Sequence, residues 1–590
     1  REGHFPHHTR IFMADDQTET AWTVGEAFWQ GRCDHQHDPL FEHTKLPLVW
    51  MPPSTDHRGA GGESATTPTP EGSTAAAVGF IMGFCNVALI NVSGGGAARG
   101  VKRGDSFTLV DAGSALGALH ICEQLDRHLW SVGARVTSVI ATHGHLDHIG
   151  GIDTIESQQR LALQRGGFAE RDDGATDGVQ VAVWGHSHVN RRLQRYKLTS
   201  GYNARINARQ FGLRSLAAME AAFGETRSVT CPYDTMTRGV DETTAPLSWD
   251  ASTNVAVVPK AAFRPSSRGT AERIDAAPSS SGLTGSTTLR LCHTLGETDD
   301  CTYVYDPASR VLITGDLFIN NVPNCGNPQK QQRYLAEWAE ALLSMAKLDA
   351  ATLLPGHGPM ILGADRVREA LTDTATFLKD IFDQTLTLIN ANVPLNDVVR
   401  RVSPNQDLMG KRPYLRPYYD DPSFLVHGLY RRYAGWYSGF IGDLHPAANS
   451  DIGRSILHLT SPCKEEAAAV DLFVTRMRAQ LAASARDRST TVAVASASKG
   501  RHLAQVPSET LRTVATLMEY VVAVVAMTTQ DDRAEAVATV PRGVRESLLS
   551  LRRSVLLELS AREPSLMGRN IYRSAASTFD SQLIAAHAKM

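Results

Sequence analysis

Val139-Ile140-Ala141-Thr142-His143-Gly144-His145-Leu146-Asp147-His148-Ile149-Gly150-Gly151 reads as a buried strand running into a sharp polar loop, with a Gly-Gly step leading into the next helix. Three His and one Asp fall between residues 143 and 148. Alternation along an extended segment puts His143 and His145 on one side, while the turn beyond lets Asp147 and His148 reach a second point a few ångströms away. Two cations can therefore share one loop. Imidazole and carboxylate suit zinc, and paired sites suit a hydroxide held between two metals. The competing reading is a His-rich surface loop; the pattern H-x-H-x-D-H continues directly from an apolar run, which argues against it.

Working outward, the chain of 590 residues is too long for one ordinary core, so two domains with insertions are expected. Hydrophobic residues at 42%, charged residues at 21% and a net charge of −3 describe a soluble globular protein and give no support to a nucleic-acid-binding tract. The eight cysteines are scattered singly, without a C-x-x-C pair, which favours reduced thiols in an intracellular compartment over a disulfide framework. The chain starts at Arg1 without a signal pattern, as a fragment or a processed product would. The longest apolar stretches, near Ala77 to Val92 and Leu511 to Met527, are interrupted by polar residues and fall short of a membrane span.

Residues 1–76 carry little signal, and Gly59 to Gly72 reads as a Gly/Ser/Thr/Pro-rich insertion. Strands are expected at Phe84 to Val92 and from Ser106 to Asp111, then a helix around Ala115 to Val132 and the strand Val136 to Ala141 before the polar loop. Asp111 either orients a ligand from behind or caps that helix. A further strand, Val179 to Trp184, precedes Gly185-His-Ser-His, whose His186 and His188 are possible but unneeded ligands. Residues 226–286 form a long Ser/Thr/Pro/Ala-rich insertion with little periodicity.

The H-x-H-x-D-H stretch resembles the metal motif of the metallo-β-lactamase superfamily, which implies an α/β fold, an αββα sandwich with its site at the sheet edges. Many members of that family have H-T-P-G-H-T at a second motif; this chain has His293-Thr-Leu-Gly-Glu297-Thr. A carboxylate at that position is a feature of the alkyl-sulfatase-like branch, and it departs from the β-lactamases, the glyoxalase II enzymes and the tRNA-processing nucleases. Asp316, at the end of an apolar strand, matches the acidic residue that bridges both metals, and Pro355-Gly-His357-Gly follows another buried strand. The resemblance thus implies a first site of His143, His145 and Glu297, a second of Asp147, His148 and His357, and Asp316 between them. Asp147 and Asp316 are the carboxylates expected to take part in catalysis.

The run Arg195-Tyr-Lys-Leu-Thr-Ser-Gly-Tyr-Asn-Ala-Arg-Ile-Asn-Ala-Arg resembles the segment that approaches the anionic head of the substrate in alkyl-sulfatase-like enzymes, which makes Asn203, Arg205, Asn207 and Arg209 candidate substrate contacts. Asn324, Lys330 and Arg333, in the polar run after Asp316, are further candidates. Beyond Asp365 the pattern turns helical, and Arg412-Pro-Tyr-Leu-Arg-Pro-Tyr-Tyr-Asp-Asp, Leu429-Tyr-Arg-Arg-Tyr-Ala-Gly-Trp-Tyr-Ser-Gly and Ala561 to Ala576 resemble an all-α alkyl sulfatase dimerisation domain. The sterol-carrier-like third domain of full alkyl sulfatases is not expected after it. The resemblance implies a catalytic domain at 77–364 and a helical domain at 365–590 with an insertion near 482–505, in a homodimeric enzyme that holds two zinc ions per chain and cleaves a small anionic ester. A thioester, lactone or phosphodiester hydrolase and an inactive dimeric scaffold are the alternatives.

Overall fold

The computed structural model describes residues 20–30, 45–51, 78–93, 100–168, 181–186, 188–210, 248–250, 255–263, 288–331, 333–461, 465–486, 503–527 and 540–587. They form two compact units, the first built from residues up to Asn203, from Glu220–Asn392 and from Val398–Tyr433, the second from Ala204–Met219, Val393–Asp397 and Ala434–Met590.

The first unit holds two mixed sheets. One has the strands β1 (Val49–Trp50), β2 (Val78–Ile81), β3 (Val87–Asn91), β4 (Ser106–Val110), β5 (Arg135–Ile140) and β6 (Ala182–Trp184) side by side in chain order. The other runs in reverse from β13 (Ile361–Leu362) through β12 (Thr352–His357), β11 (Val311–Ile319), β10 (Thr302–Asp306), β9 (Thr288–His293) and β8 (Val255–Pro259) to β7 (Ser248–Asp250). Parallel pairing of β4 with β5, and of β11 with β12, aligns the ends of these strands, so the loops that follow them converge.

Every residue of β11 is buried, as expected of a continuous apolar run covered on both faces. On the first sheet, α2 (Ala118–His128) and α4 (Ile152–Arg165) bury Ile121, Leu125, Ile155 and Leu163 in one cluster with Leu89, Phe107 and Val139. Spacings of four and eight put these residues on one face of each helix. On the second sheet, α7 (Leu335–Ala346) and α8 (Ala364–Asn390) pack on each other and against β11 to β13. Two sheets, each with its own helical cover, make the αββα order the sequence implied.

Several elements escaped the sequence reading. The helix α1 (Ala21–Trp29), capped by Thr20, lies in the stretch that carried little signal. The pairs β1/β2 and β7/β8 are runs of two to five residues, too short for a periodic pattern to register. In the stretch 226–286, Val255-Ala-Val-Val-Pro pairs antiparallel with β9 and extends the second sheet where only a loop was expected. Gly59 to Gly72 lies outside the described residues, as do residues 487–502 of the insertion expected near 482–505, whose two ends belong to the helix Glu466–Arg486 and the 3-10 turn Leu503–Gln505.

The second unit is helical: Asn449–Thr460, Glu466–Arg486, Ser508–Met527, Arg542–Arg562 and Leu566–His587. Val470, Phe473, Val474, Met477 and Leu481 on one helix meet Leu511, Val514, Met518, Val521 and Val525 on another in a single buried cluster. The apolar run near Leu511 to Met527 is therefore a core helix, and no described helix is long and apolar enough to cross a membrane.

Candidate metal centre

The site sits beyond the end of β5, against Asp316 within β11 and His357 at the end of β12. His145 is the N-cap of the short helix α3 (Leu146–Ile149), and this tight turn sends His143 and His145 one way and Asp147 and His148 the other. His143 Nε2 lies 3.5 Å from Glu297 Oε2 and 3.7 Å from Asp316 Oδ2, and His145 Nδ1 lies 3.2 Å from Glu297 Oε2. A few ångströms away, His148 Nε2 is 3.9 Å from Asp147 Oδ2 and 3.2 Å from Asp316 Oδ1, while His357 Nε2 is 3.5 and 3.4 Å from the same two oxygens. Asp316 thus offers one oxygen to each set. All seven sequence-nominated ligands converge, in two groups whose ligand atoms lie within 4.8 Å of one another.

The donor geometry fits a metal. Ligands about 2.1 Å from a tetrahedral cation stand roughly 3.4 Å apart, close to the separations above. His148 Nε2, Glu297 Oε2 and Asp316 Oδ1 are buried and have no hydrogen-bond partner, which is costly unless a cation takes their lone pairs. The electrostatics agree. Burial would raise the Asp316 carboxyl, yet the His148 and His357 imidazoles hold it well below the usual carboxylate range. Burial pushes the His145 imidazole down to about 4, so it is neutral and able to ligate near pH 7.

Behind the ligands, a second layer fixes their orientation. His148 Nδ1 meets Asp111 Oδ2 at 2.7 Å, with the Cys85 thiol 3.3 Å from the same nitrogen. Asp111 also accepts from the Thr142 backbone N–H and hydroxyl, both at 2.8 Å, and takes a left-handed φ of 63° to do so. The structure therefore uses Asp111 behind a ligand rather than as the cap of α2, whose N-cap is Gly117. His357 Nδ1 donates to the Phe84 carbonyl, and the Asn86 amide braces the His357 loop by donating to Pro355 O at 2.9 Å and Gly358 O at 2.7 Å. Glycine is needed at 356, where a Cβ would stand 2.3 Å from Asp316 Oδ1, and at 315, where it would strike Thr142 at 2.4 Å.

The metal loop is also tied to the chain after Glu297. Asp300 accepts from the Gly144 backbone N–H at 3.0 Å and from Arg192 Nε at 3.1 Å, and Arg192 reaches Asp299 as well. Arg192 belongs to α5 (His188–Leu198), where Arg192, Arg195 and Tyr196 share one face by their spacing of three and four. With Lys330, Arg333 and Tyr334 these three line a cleft that opens on His145 and Glu297. Arg192, Asp300 and Arg195 were not singled out from sequence; the three-and-four spacing on α5 was the available signal.

The substrate candidates separate in the structure. Lys330 and Arg333 line the cleft. Arg333 and Asn324 also hold Glu297 Oε1, Arg333 Nη1 at 3.1 Å and Asn324 Nδ2 at 2.5 Å. On α6 (Ser200–Gln210), Asn203 and Asn207 are buried while Arg205 and Arg209 are exposed on another face, and none of the four is among the described residues lining the cleft. His186 stacks on His293 with ring centroids 3.7 Å apart, and His188 Nδ1 lies 3.2 Å from Asp299 Oδ2; neither belongs to a ligand group.

Comparisons with known proteins agree with this geometry. Residues 101–163 and 246–357 match the metallo-beta-lactamase superfamily, and residues 395–506 match the alkyl sulfatase dimerisation family. The chain thus resembles metallo-β-lactamase superfamily proteins over part of its two-sheet region and alkyl sulfatases over a later, largely helical stretch. It is 28% identical over 173 residues to a linear primary-alkylsulfatase of Pseudomonas sp. (strain ATCC 19151), covering 29% of this chain and 33% of that protein. It is likewise 28% identical over 155 residues to an (R)-specific secondary-alkylsulfatase of Pseudomonas sp., covering 26% of this chain and 23% of that one. The matched part therefore spans a third or less of these curated relatives. The fold matches the stereoselective inverting sec-alkylsulfatase Pisa1 from Pseudomonas sp. with a TM-score of 0.53 at 17% identity, over 85% of this chain and 64% of that one.

Proposed function

We propose that the chain is a two-zinc hydrolase that cleaves a sulfate ester with an apolar tail, working as a homodimer. The observation that carries the reading is the cleft in which His145 and Glu297 of the first metal set stand beside Arg192, Arg195, Lys330 and Arg333. Four cationic side chains at the mouth of a metal centre suit an anionic head group.

His143, His145 and Glu297 would hold one ion, Asp147, His148 and His357 the other, and Asp316 would reach both. Bound metal lowers the pKa of a water to near neutrality and neutralises charge that develops on the ester oxygens. The chain's own groups do the rest. Asp111 and the Phe84 carbonyl keep the His148 and His357 imidazoles in fixed tautomers and directions, and Asn86 braces the His357 loop. Arg192 and Arg333 are bound to carboxylates, so their part is to hold Asp300 and Glu297 in place. Arg195 and Lys330 bring two further positive charges to the same cleft, where they would receive the sulfate oxygens.

Metal analysis of the purified chain, followed by sulfate release from medium-chain alkyl sulfates, tests this reading. About two zinc ions with sulfate release is the expected result. Thioester, lactone or phosphodiester turnover without sulfate release would overturn the substrate class and leave the metal centre standing.

A further inference from the structure

The cleft beside the first metal set holds a phenol to which the metal centre gives no task. Tyr196 follows Arg195 on α5 and lines the cleft that opens on His145 and Glu297. Arg195 Cζ lies 5.1 Å from the centre of its ring. The Tyr196 hydroxyl forms no hydrogen bond with any described residue, whereas the Tyr202 hydroxyl donates to Gln329 O at 3.2 Å and the Tyr414 hydroxyl to Asp373 Oδ2 at 2.9 Å. A phenol O–H on the wall of a polar cleft, without a partner in its own chain, is placed to find one on a bound substrate.

The chemistry of a sulfate ester asks for such a group. When the bond between sulfur and an alkyl oxygen breaks, the electron pair leaves on an alkoxide, a far stronger base than a phenolate, so a proton has to arrive as the bond opens. Other lining groups are committed. His145 and Glu297 belong to the metal set, Asp299 pairs with Arg192 and His188, and the Thr298 hydroxyl faces Cys301 Sγ at 3.2 Å. Tyr196, Tyr334 and Lys330 are left as proton carriers among the described lining residues. Lys330 would give up its charge with its proton, and with that its hold on the sulfate oxygens. The two phenols differ in their surroundings. Burial pushes the Tyr196 hydroxyl up to about 12, so it keeps its proton at ordinary pH, while Arg192, Arg195 and Arg333 favour the phenolate that remains once the proton is given. Burial raises Tyr334 as well, but the charge that weighs most there is Asp299, which opposes a phenolate.

We propose that Tyr196 is the general acid of the reaction, donating its phenolic proton to the alkyl oxygen as the sulfur–oxygen bond breaks. The proposal rests on the sulfatase reading above and adds the group that releases the alcohol. The oxygen of the attacking water bonds to sulfur, and the bond from sulfur to the alkyl oxygen breaks with its electron pair going to that oxygen. The proton from Tyr196 completes the alcohol. The phenolate then takes back a proton released by the attacking water, so Tyr196 is restored for the next turnover.

Tyr196→Phe keeps the ring beside Arg195 and removes only the acidic proton, with circular dichroism as the check on folding. Turnover is measured on octyl sulfate, whose alkoxide needs a proton to leave, and on nitrophenyl sulfate, whose stable phenolate leaves without one. The ratio of kcat for the aryl ester to kcat for the alkyl ester should rise at least ~100-fold in the variant, the contribution expected of a general acid. An equal loss on both esters would make Tyr196 a structural residue and overturn the proposal. A rise in Lys330→Met or Tyr334→Phe, with none in Tyr196→Phe, would move the acid to that residue. In water labelled with heavy oxygen the label should enter the sulfate. Label in the alcohol would mean attack at carbon, where no alkoxide leaves, and would overturn the role of Tyr196 while the sulfatase reading stands. A wild type that releases sulfate from neither ester would remove both.

Discussion

Arg333 and Glu297 form a buried ion pair, Nη1 to Oε1 at 3.1 Å, and the same nitrogen donates to the Glu297 backbone carbonyl at 2.5 Å. Asn324 fills the rest of Oε1, so Oε2 alone is left to face His143 and His145. The carboxylate is thus gripped from behind, by charge and by direction. Burial would raise the Glu297 carboxyl, but Arg333 and then His145 hold it well below the usual range. An imidazole at this position would bring no charge and would leave Arg333 without its carboxylate partner.

Removing the grip should show first in the metal-free protein. Arg333→Met leaves Glu297 buried without its cation, at a cost of about 3–5 kcal/mol. A metal ion would supply the missing charge, so zinc should rescue much of the loss. Denaturant melts of wild type, Arg333→Met and Arg333→Met/Glu297→Gln, with zinc and with chelator, measure this. The double variant should regain stability in chelator; equal losses with and without zinc would show that Arg333 acts through packing alone.

The two ligand sets should part under mutation. Asp147 pairs with His148 and His357 of the second set, so Asp147→Ala should lower the second metal's occupancy and spare the first. Asp111→Asn weakens the acceptor behind His148 and should cost ~10–100-fold in affinity at that same site. Glu297→Ala should do the reverse. Zinc titration against a chromophoric chelator resolves the two affinities, and a simultaneous loss of both ions in Asp147→Ala would mean that the sets fold as one.

The sequence carried the ligands more plainly than their supports. His143 to His148 follow the apolar strand β5, Asp316 lies within the apolar run of β11 and His357 ends β12, so a short local pattern marks each of them. Asp111 stood out because it ends β4, but its contact with His148 depends on parallel pairing across to β5, which no local pattern records. Asp300 and Arg192 are 108 residues apart in the chain and meet only after β8 and β9 complete the sheet. Arg205 and Arg209 look the same in sequence as Arg192 and Arg195, and only the helix they sit on tells the two pairs apart. Short edge strands such as β1 and β7 were lost because two or three residues hold no period.

Asp300 gives the metal loop an acid-sensitive tie. Burial pushes its carboxyl up, but Arg192 and the nearby His143 bring it down to about 2. A folded-state pKa below the ordinary 3.8 stabilises the fold above about pH 4, and that stability is lost as the pH falls from about 4 towards 2, some ~2 kcal/mol in all. Asp300→Asn should flatten this part of the stability profile and loosen the loop at Gly144. Urea melts between pH 2 and pH 6 would show it, and an unchanged slope in Asp300→Asn would assign the acid sensitivity elsewhere.

Substrate charge is the last expectation, and it turns on Lys330. Burial, reinforced by the neighbouring Arg333, brings its ammonium down to about 8. Its positive charge is therefore present below pH 8 and lost as the pH rises through that value, so the KM for an alkyl sulfate should climb above pH 8 while kcat changes less. Lys330→Met should show the raised KM at every pH and remove the inflection, because uniform binding of the head group is what it gives up. Arg195→Met should raise KM by a similar factor, about 10-fold for one charge-assisted contact, whereas Arg209→Met, on the exposed face of α6, should leave it unchanged. A singly charged sulfate suits two such cations; a phosphate monoester, with nearly twice the charge, meets three acidic ligands in the same centre and should bind less well. Kinetics across pH 6 to pH 10 for wild type and the three variants would decide. A KM that ignores both Lys330 and Arg195 would move the anion site out of this cleft.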